Sequence, residues 1–245
     1  MTKQIKTGLI TLLLGLIGVL SLLTVTIPLP EEVQAALLES FTPDQIKYLL
    51  LVNPSIMVVI FVLAGTAFHE QTRLSLPIIT WQKPIDFTGI ILFGVSGGVL
   101  AGSLITIVAS LFEPFMSEVF AELQDGLELS LTARFLFGGI TEEILMRYGL
   151  MTLIVWVLHK LSKGYSGWIY WTGIILSAIL FGAGHLPAAA SATQLTPMLI
   201  FYVLTGNALG GLIFGWLYWK KGLESAMIAH IFAHMTMLVF PSLTS

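Results

Sequence analysis

Long apolar segments recur along this chain of 245 residues, and they constrain its fold more than any other feature. A helix needs about 20 mainly apolar residues to cross the roughly 30 Å hydrocarbon core of a bilayer. Within that core each backbone N–H and C=O must be bonded internally, which favours helices. Seven segments meet this requirement: about Gly8–Ile27, Gln45–Phe68, Phe87–Phe112, Leu131–Leu158, Trp168–Gly184, Pro197–Trp219 and Glu224–Phe240. The sequence therefore predicts an all-α, polytopic transmembrane bundle of about seven spans, with eight as the alternative.

Local signals refine two of these spans. A capping box from Thr42 to Gln45 precedes the second span, and Pro54 predicts a kink within it. The third span is rich in glycine and other small residues, which predicts a close contact with another helix.

The composition agrees with burial in lipid. Apolar residues make up 56% of the chain and charged residues only 10%, whereas a soluble domain has about 25% charged residues. The net charge of -3 comes without a basic cluster, so we expect no nucleic-acid partner. The absence of cysteine excludes disulfides, thiolate metal ligands and a cysteine nucleophile. Without a repeat or linker, residues 1–245 are predicted to form one membrane domain whose first partner is the bilayer.

The basic residues predict the orientation. Lys3 and Lys6 precede the first apolar run, a layout shared by cleaved signal peptides and uncleaved anchors. The run has about twenty residues, longer than a usual signal core, so we interpret it as an uncleaved span. With the N-terminus inside, the inner segments hold eight Lys and Arg residues and the outer segments hold only Lys47. Because basic residues collect in cytoplasmic loops, we expect a cytoplasmic N-terminus and an outer C-terminus.

One outer segment has its own pattern. Between Glu113 and Glu128 there are five acidic residues and no basic one. Apolar residues recur there at helical spacing: Val119, Phe120, Leu123 and Leu127. This pattern predicts an amphipathic surface helix at about 114–129, lying on the protein or the outer interface. An ordinary solvated helix is the simpler interpretation, and a lid over a substrate entrance is the alternative.

Charged residues interrupt the fourth span. Glu142 falls about 16 Å along it, near mid-bilayer, where a charge costs at least about 2.5–3.5 kcal/mol. Glu143 and Arg147 are four residues apart and can pair along one helical face, which by itself would suit a structural ion pair. Glu142 is turned about 100° from Glu143 and lacks that partner. A carboxylate withdrawn from water is a competent general base. Arg134 is expected to snorkel toward the outer interface.

Three histidines lie within or at the end of predicted spans. His230 and His234 are one helical turn apart in the last span, and His185 closes the fifth. A single histidine in a span is often a hydrogen-bonding residue between helices, but three beside a glutamate pair favour a functional site. Counting along the helices puts His185 about 28 Å from the inner side, away from the others. His69 and His159 lie at loop ends, where we expect ordinary polar contacts.

Three motifs follow one another on separate predicted helices. They are EExxxR at Glu142–Arg147, FxxxH at Phe181–His185, and the histidine pair His230–His234. Together with the glycine-rich approach at Gly206–Tyr218, they resemble the CPBP family of intramembrane proteases. That family includes the type II CAAX-prenyl endopeptidases and bacterial Abi proteins linked to bacteriocin self-immunity. The resemblance covers a core of about residues 131–238 and implies a bacterial inner (plasma) membrane.

The resemblance implies roles for the motif residues. Glu142 would activate water with His185 as its partner, and Glu143 and Arg147 would support the geometry. His230 and the residue at position 234 would stabilise the oxyanion of the tetrahedral intermediate. Family members usually carry asparagine, or sometimes aspartate, at that last position, whereas this chain has histidine.

This departure leaves a metalloendopeptidase mechanism open. One oxygen and three nitrogen ligands would suit zinc: Glu142, His185, His230 and His234. A closed set of four ligands leaves no position for the reacting water, so we favour a mechanism without a metal or other cofactor.

The resemblance therefore implies an intramembrane endopeptidase that hydrolyses a peptide or membrane-protein substrate. A proton-coupled transporter that uses the buried Glu/His cluster is the first alternative, although transporters commonly show duplicated halves that are not visible here. A non-catalytic membrane scaffold of the same fold is the second. Nothing in the sequence selects for a prenyl chain or fixes the oligomeric state.

Overall fold

A computed structural model describes residues 2–25, 29, 31–126 and 129–240. We number its helices in chain order: α1 Lys3–Ser21, α2 Glu31–Leu38, α3 Pro43–Leu50, α4 Val52–Phe68, α5 Phe87–Gly126, α6 Leu131–Ser162, α7 Gly167–Gly184, α8 Leu186–Ala192, α9 Pro197–Lys221 and α10 Leu223–Val239. Short 3₁₀ turns follow α1 at Leu22–Thr24 and α4 at His69–Gln71.

The predicted transmembrane helical bundle is confirmed. Six apolar helical stretches within the described residues are long enough to cross a membrane, and α10 is a shorter apolar helix. The capping box at Thr42 is present, with both of its hydrogen bonds to Gln45. The kink expected at Pro54 is a break at Leu51, because proline has no N–H to bond the carbonyl one turn earlier. The predicted end of the first span, Ile27, lies outside the described residues.

The predicted surface helix is the continuation of α5. The helix breaks at Met116, whose φ is −143° and ψ is 27°, shortly after Pro114. Beyond the break, its apolar face packs on α8 and the start of α9, through Val119, Phe120 and Leu123. The Thr193 hydroxyl donates a hydrogen bond to the Glu122 carboxylate across this contact. The helix lies on the protein as predicted, while Leu127 and Glu128 fall outside the described residues.

The small residues of α5 allow α10 to approach it closely. A Cβ added to Gly98 would lie 2.4 Å from the carbonyl oxygen of Ala229, and one on Gly102 would lie 2.6 Å from that of Ala233. These distances are far below a van der Waals contact, so only glycine fits at either position. The two histidines of α10 follow these alanines directly, and this contact therefore fixes their depth.

The segment between α4 and α5 folds back beneath the start of α10. Leu76 in this segment is fully buried. The Glu224 carboxylate accepts hydrogen bonds from the backbone N–H groups of Ile78, at 2.9 Å, and Ile79, at 2.7 Å. This packing closes one end of the bundle and lets the short α10 begin inside it.

Candidate active site

The glutamates of α6 lie where the helix is wound more widely than an α-helix. Arg134–Glu142 and Ile144–Met151 are π-helical, so their backbone hydrogen bonds reach the fifth residue instead of the fourth. The Thr141 hydroxyl donates to the Gly15 carbonyl of α1 at 2.9 Å, and the Leu136 carbonyl, five residues earlier in α6, lies 3.3 Å from the same oxygen. The prediction of a regular α-helix is therefore wrong over these two stretches. Such π segments are frequent at functional sites.

The predicted pair of Glu143 and Arg147 is present and fully buried. Arg147 Nε lies 3.2 Å from Glu143 Oε2, and both side chains are 0% exposed. The Arg147 guanidinium also donates to the carbonyl of Gly211 at 3.3 Å, and it lies over the rings of Phe181 and Phe214. Arg147 therefore balances the negative charge of Glu143, and the Glu143 carboxylate can still accept a hydrogen bond from one more donor.

That donor is His230, and the contact fixes the tautomer of its ring. His230 Nδ1 lies 2.9 Å from Glu143 Oε1. Because a carboxylate only accepts hydrogen bonds, Nδ1 carries the proton. In the neutral ring Nε2 is then an acceptor, and it faces Glu142 Oε2 at 3.8 Å.

His185 has the same arrangement on the other side of Glu142. Its Nδ1 donates to the Phe181 carbonyl at 2.8 Å, so the Nε2 of a neutral ring is again an acceptor. That Nε2 lies 4.0 Å from Glu142 Oε1. The Glu142 carboxyl therefore lies between two imidazole nitrogens, at distances too long for direct hydrogen bonds but suited to an intervening water molecule.

These residues border a cavity of about 290 Å³. The side chain of His185 is 35% exposed and that of Glu142 19% exposed, so solvent reaches both. Several lining residues come from one end of the bundle, at the end of α1, the start of α6 and the end of α10: Leu22, Val25, Leu129, Ala133, Arg134 and Met237. The cavity therefore opens away from the lysine-rich end of α6 and α9.

The register of the helices explains why His185 meets Glu142. Glu142 comes 20 residues before the end of α6 and His185 comes 18 residues after the start of α7. The two helices run in opposite directions, so both residues lie roughly 27–30 Å from the same end of the bundle. The site therefore lies away from the middle of the bundle. Glu142 and His185 are at similar depths, although counting along the sequence had placed them apart.

His234 lies beside the other residues without a polar contact of its own. Its ring stacks on that of His230 with centroids 5.0 Å apart and planes 16° apart. A Cβ on Gly138 would lie 2.7 Å from His234 Nε2, so the glycine makes room for the ring. His234 Nδ1 is buried and has no hydrogen-bond partner among the described residues. The ring is held by packing, and its Nδ1 is left without a polar partner among the described residues.

The four residues considered as zinc ligands do not fit one ion in this conformation. A metal ion binds about 2.0–2.1 Å from a histidine nitrogen, close to the plane of the ring. Because the rings of His230 and His234 are stacked and nearly parallel, an ion in one plane lies outside the other. Within the part of the chain that the structure describes, no group of three or more His, Asp and Glu side chains is arranged as a metal site.

Two polar residues that line the cavity were not predicted as site residues. Asn207 in α9 donates through Nδ2 to the Val203 carbonyl at 2.8 Å, which leaves one amide hydrogen free. Arg134 lines the cavity and donates to the Leu129 carbonyl at 3.2 Å. An asparagine inside an apolar span was the available signal for the first, since polar residues there are costly to bury.

The remaining histidines make the ordinary contacts expected of them. His69 Nδ1 bonds the Gly65 carbonyl at 3.1 Å, and His159 Nδ1 bonds the Gly164 carbonyl at 2.8 Å.

Comparison with protein families gives a match over this same region. Residues 126–236 match the family described as Type II CAAX prenyl endopeptidase Rce1-like. The match includes all three motifs, from Glu142 to His234. The search of curated proteins and the search of solved structures found no match. Residues 126–236 of this integral membrane protein are therefore similar to the Rce1-like, CPBP/CAAX-type protease family.

Proposed function

We propose that this protein is an intramembrane endopeptidase that hydrolyses peptide bonds with a water molecule activated by Glu142. The observation that carries the proposal is the Glu142 carboxyl between the Nε2 atoms of His185 and His230, beside an open cavity. The family match supports a protease. The substrate is a peptide or membrane protein that presents an extended segment to this cavity.

Two acceptors can orient one water molecule. Held between Glu142 and His185, a water donates one hydrogen bond to the carboxylate and the other to the imidazole Nε2. Glu142 removes a proton as the water oxygen attacks the carbonyl carbon of the substrate. The protonated Glu142 then gives that proton to the leaving amine nitrogen when the C–N bond breaks. The hydroxyl of the water remains on the new carboxyl product, and Glu142 returns to its starting form.

The tetrahedral intermediate needs hydrogen-bond donors, and the neutral His230 has none that faces the cavity. Its only N–H is used by Glu143, so His230 donates to an oxyanion only as an imidazolium. We therefore assign the oxyanion contacts to the free amide hydrogen of Asn207 and to an N–H of the His234 ring. The role that the resemblance implied for His230 becomes that of a second acceptor beside Glu142.

The helix register supports Asn207 in this role. A Cβ on Gly182 would lie 3.1 Å from Leu204 Cα, and one on Gly211 would lie 2.8 Å from the Ala178 Cβ. These contacts align the segment of α9 between Leu204 and Gly211 with the last turn of α7 before His185. Asn207 is therefore level with the turn that carries His185 into the site.

The test is cleavage of a peptide library by the purified protein in lipid nanodiscs. Loss of a general base costs roughly 10²–10⁴-fold in rate, so Glu142→Gln and His185→Ala should each reduce cleavage by at least about 100-fold. His159→Ala is the matched control, because this histidine lies outside the cavity, and it should cleave at the wild-type rate. Cleavage that survives both site variants would refute the proposed site, and no cleavage by the wild type would refute the function.

Metal dependence is a separate measurement on the same sample. We propose that catalysis does not require a metal, since the histidine rings do not converge. Metal analysis should find less than one zinc ion per protein chain, and peptide cleavage should persist in the presence of a strong chelator. Stoichiometric zinc whose removal abolishes cleavage would overturn this part of the mechanism.

A further inference from the structure

A second and larger cavity lies on the lipid-facing side of the bundle, between α5, α7 and α9. It measures about 490 Å³ and shares no lining residue with the catalytic cavity. Large apolar side chains form most of its wall: Phe93, Leu100, Trp171, Ile213, Trp216 and Leu217. Its one hydroxyl, on Ser96, already donates to the Leu92 carbonyl of its own helix at 2.7 Å. We call this cavity the α5/α9 groove, and its chemistry suits a hydrocarbon chain.

Two lysines are held at one end of the α5/α9 groove. Lys221 Nζ lies 3.9 Å from the ring centroid of Phe93, which lines the groove. Lys220 Nζ lies 3.4 Å from the ring centroid of Trp219, and that ring meets Trp171 edge-on. Neither ammonium has a carboxylate partner among the described residues. Two uncompensated positive charges are thus positioned where an apolar groove begins.

We propose that the α5/α9 groove binds one acyl chain of an anionic glycerophospholipid, whose phosphate contacts Lys220 and Lys221. Charge complementarity selects this occupant, because the wall of the groove is almost entirely apolar and the two charged side chains that contact its rim are lysines. Basic sites at the ends of membrane helices bind anionic head groups in this way. Both lysines lie in a segment that the charge bias places on the cytoplasmic side, the leaflet where anionic lipids collect. This site does not depend on the proposed protease activity.

Native mass spectrometry of the full chain tests the proposal. The protein is released from nanodiscs that contain equal amounts of phosphatidylglycerol and phosphatidylcholine with identical palmitoyl and oleoyl chains. We expect retained lipid to be enriched in phosphatidylglycerol. Each lysine near a membrane surface contributes about a five-fold preference for anionic lipid, so the double variant Lys220→Gln/Lys221→Gln should lose most of the enrichment. The control Lys160→Gln/Lys163→Gln removes two exposed lysines elsewhere on the same predicted side and should keep it.

A second pair of variants tests the chain-binding half. Leu100→Trp fills the groove from a position that is 53% exposed, and Leu111→Trp adds the same ring to the lipid-facing side of α5 outside the groove. Leu100→Trp should reduce retention of both lipids, whereas Leu111→Trp should not. Equal loss of enrichment in both lysine double variants, or unchanged retention in Leu100→Trp, would overturn the proposal. A dimer that covers the groove and excludes lipid would also overturn it.

Discussion

At the scale of single residues, a buried chain of contacts from Arg147 through Glu143 to His230 decides which ring nitrogen faces the cavity. Arg147→Met would leave the carboxylate of Glu143 without its cation in a site that excludes water. Removing one partner of a buried pair costs about 3–5 kcal/mol. We expect that loss in the free energy of unfolding, measured by titration with a denaturing detergent. Lys163→Met changes an exposed lysine and should leave the midpoint of the unfolding titration unchanged. An unchanged midpoint for Arg147→Met would show that the Glu143–Arg147 pair contributes nothing to the free energy of unfolding.

Position 234 separates hydrogen bonding from metal binding. If His234 acts only as a donor, His234→Asn should keep cleavage within about ten-fold of the wild type, because an amide also donates. His234→Leu has no donor and should lower the turnover number by about 10²–10³-fold. Steady-state kinetics on a cleaved peptide checks both. Complete loss of activity in the asparagine variant would favour a ligand role for the imidazole.

Asn207 gives the matching test on α9. Asn207→Leu removes the proposed oxyanion donor and should lower kcat by about 10²–10³-fold with little change in KM. The only other asparagine of the chain, Asn53, is exposed on α4, and Asn53→Leu should behave as the wild type. Equal kcat in the two variants would remove Asn207 from the mechanism while leaving Glu142 in place.

At the scale of elements, the close approach of α5 and α10 depends on glycine. Gly98→Val would place a branched side chain against the Ala229 carbonyl and should force the two helices apart. We expect loss of the folded, monodisperse protein on size-exclusion chromatography. Gly167→Ala is the control, because a Cβ there meets only the Trp219 ring, at 3.9 Å. A folded Gly98→Val protein with wild-type activity would contradict the assigned packing.

Helical periodicity was enough to predict some features of the site from the sequence. It identified the spans, the Glu143–Arg147 pair and the common face of His230 and His234. It could not predict the π-helical winding at Glu142, since no local residue pattern specifies a hydrogen bond to the fifth residue. Asn207 was missed for a different reason, because its depth follows from how α7 and α9 align, which is a tertiary property.

At the scale of the whole molecule, the orientation can be tested cleanly because the chain has no cysteine of its own. Single cysteines at exposed positions can be labelled with a maleimide that does not cross membranes. Glu39→Cys and Gln194→Cys should react in intact cells, whereas Lys83→Cys and Lys163→Cys should react only after permeabilisation. The reverse pattern would invert the assigned orientation, and labelling of all four in intact cells would contradict the span count.

The closed end of the bundle has an electrical consequence. Glu142 lines the cavity, whereas the Glu143–Arg147 pair behind it is fully buried and does not line it. The hydroxyls of Tyr218 and Thr152, bonded at 2.9 Å, lie deeper still. Beyond them, the segment held by Glu224 seals the base of the bundle. A hydrated chamber can therefore exist inside the bilayer as a blind pocket, and the proposed peptide hydrolysis would then proceed without a conducting path for protons and without dissipating the membrane potential.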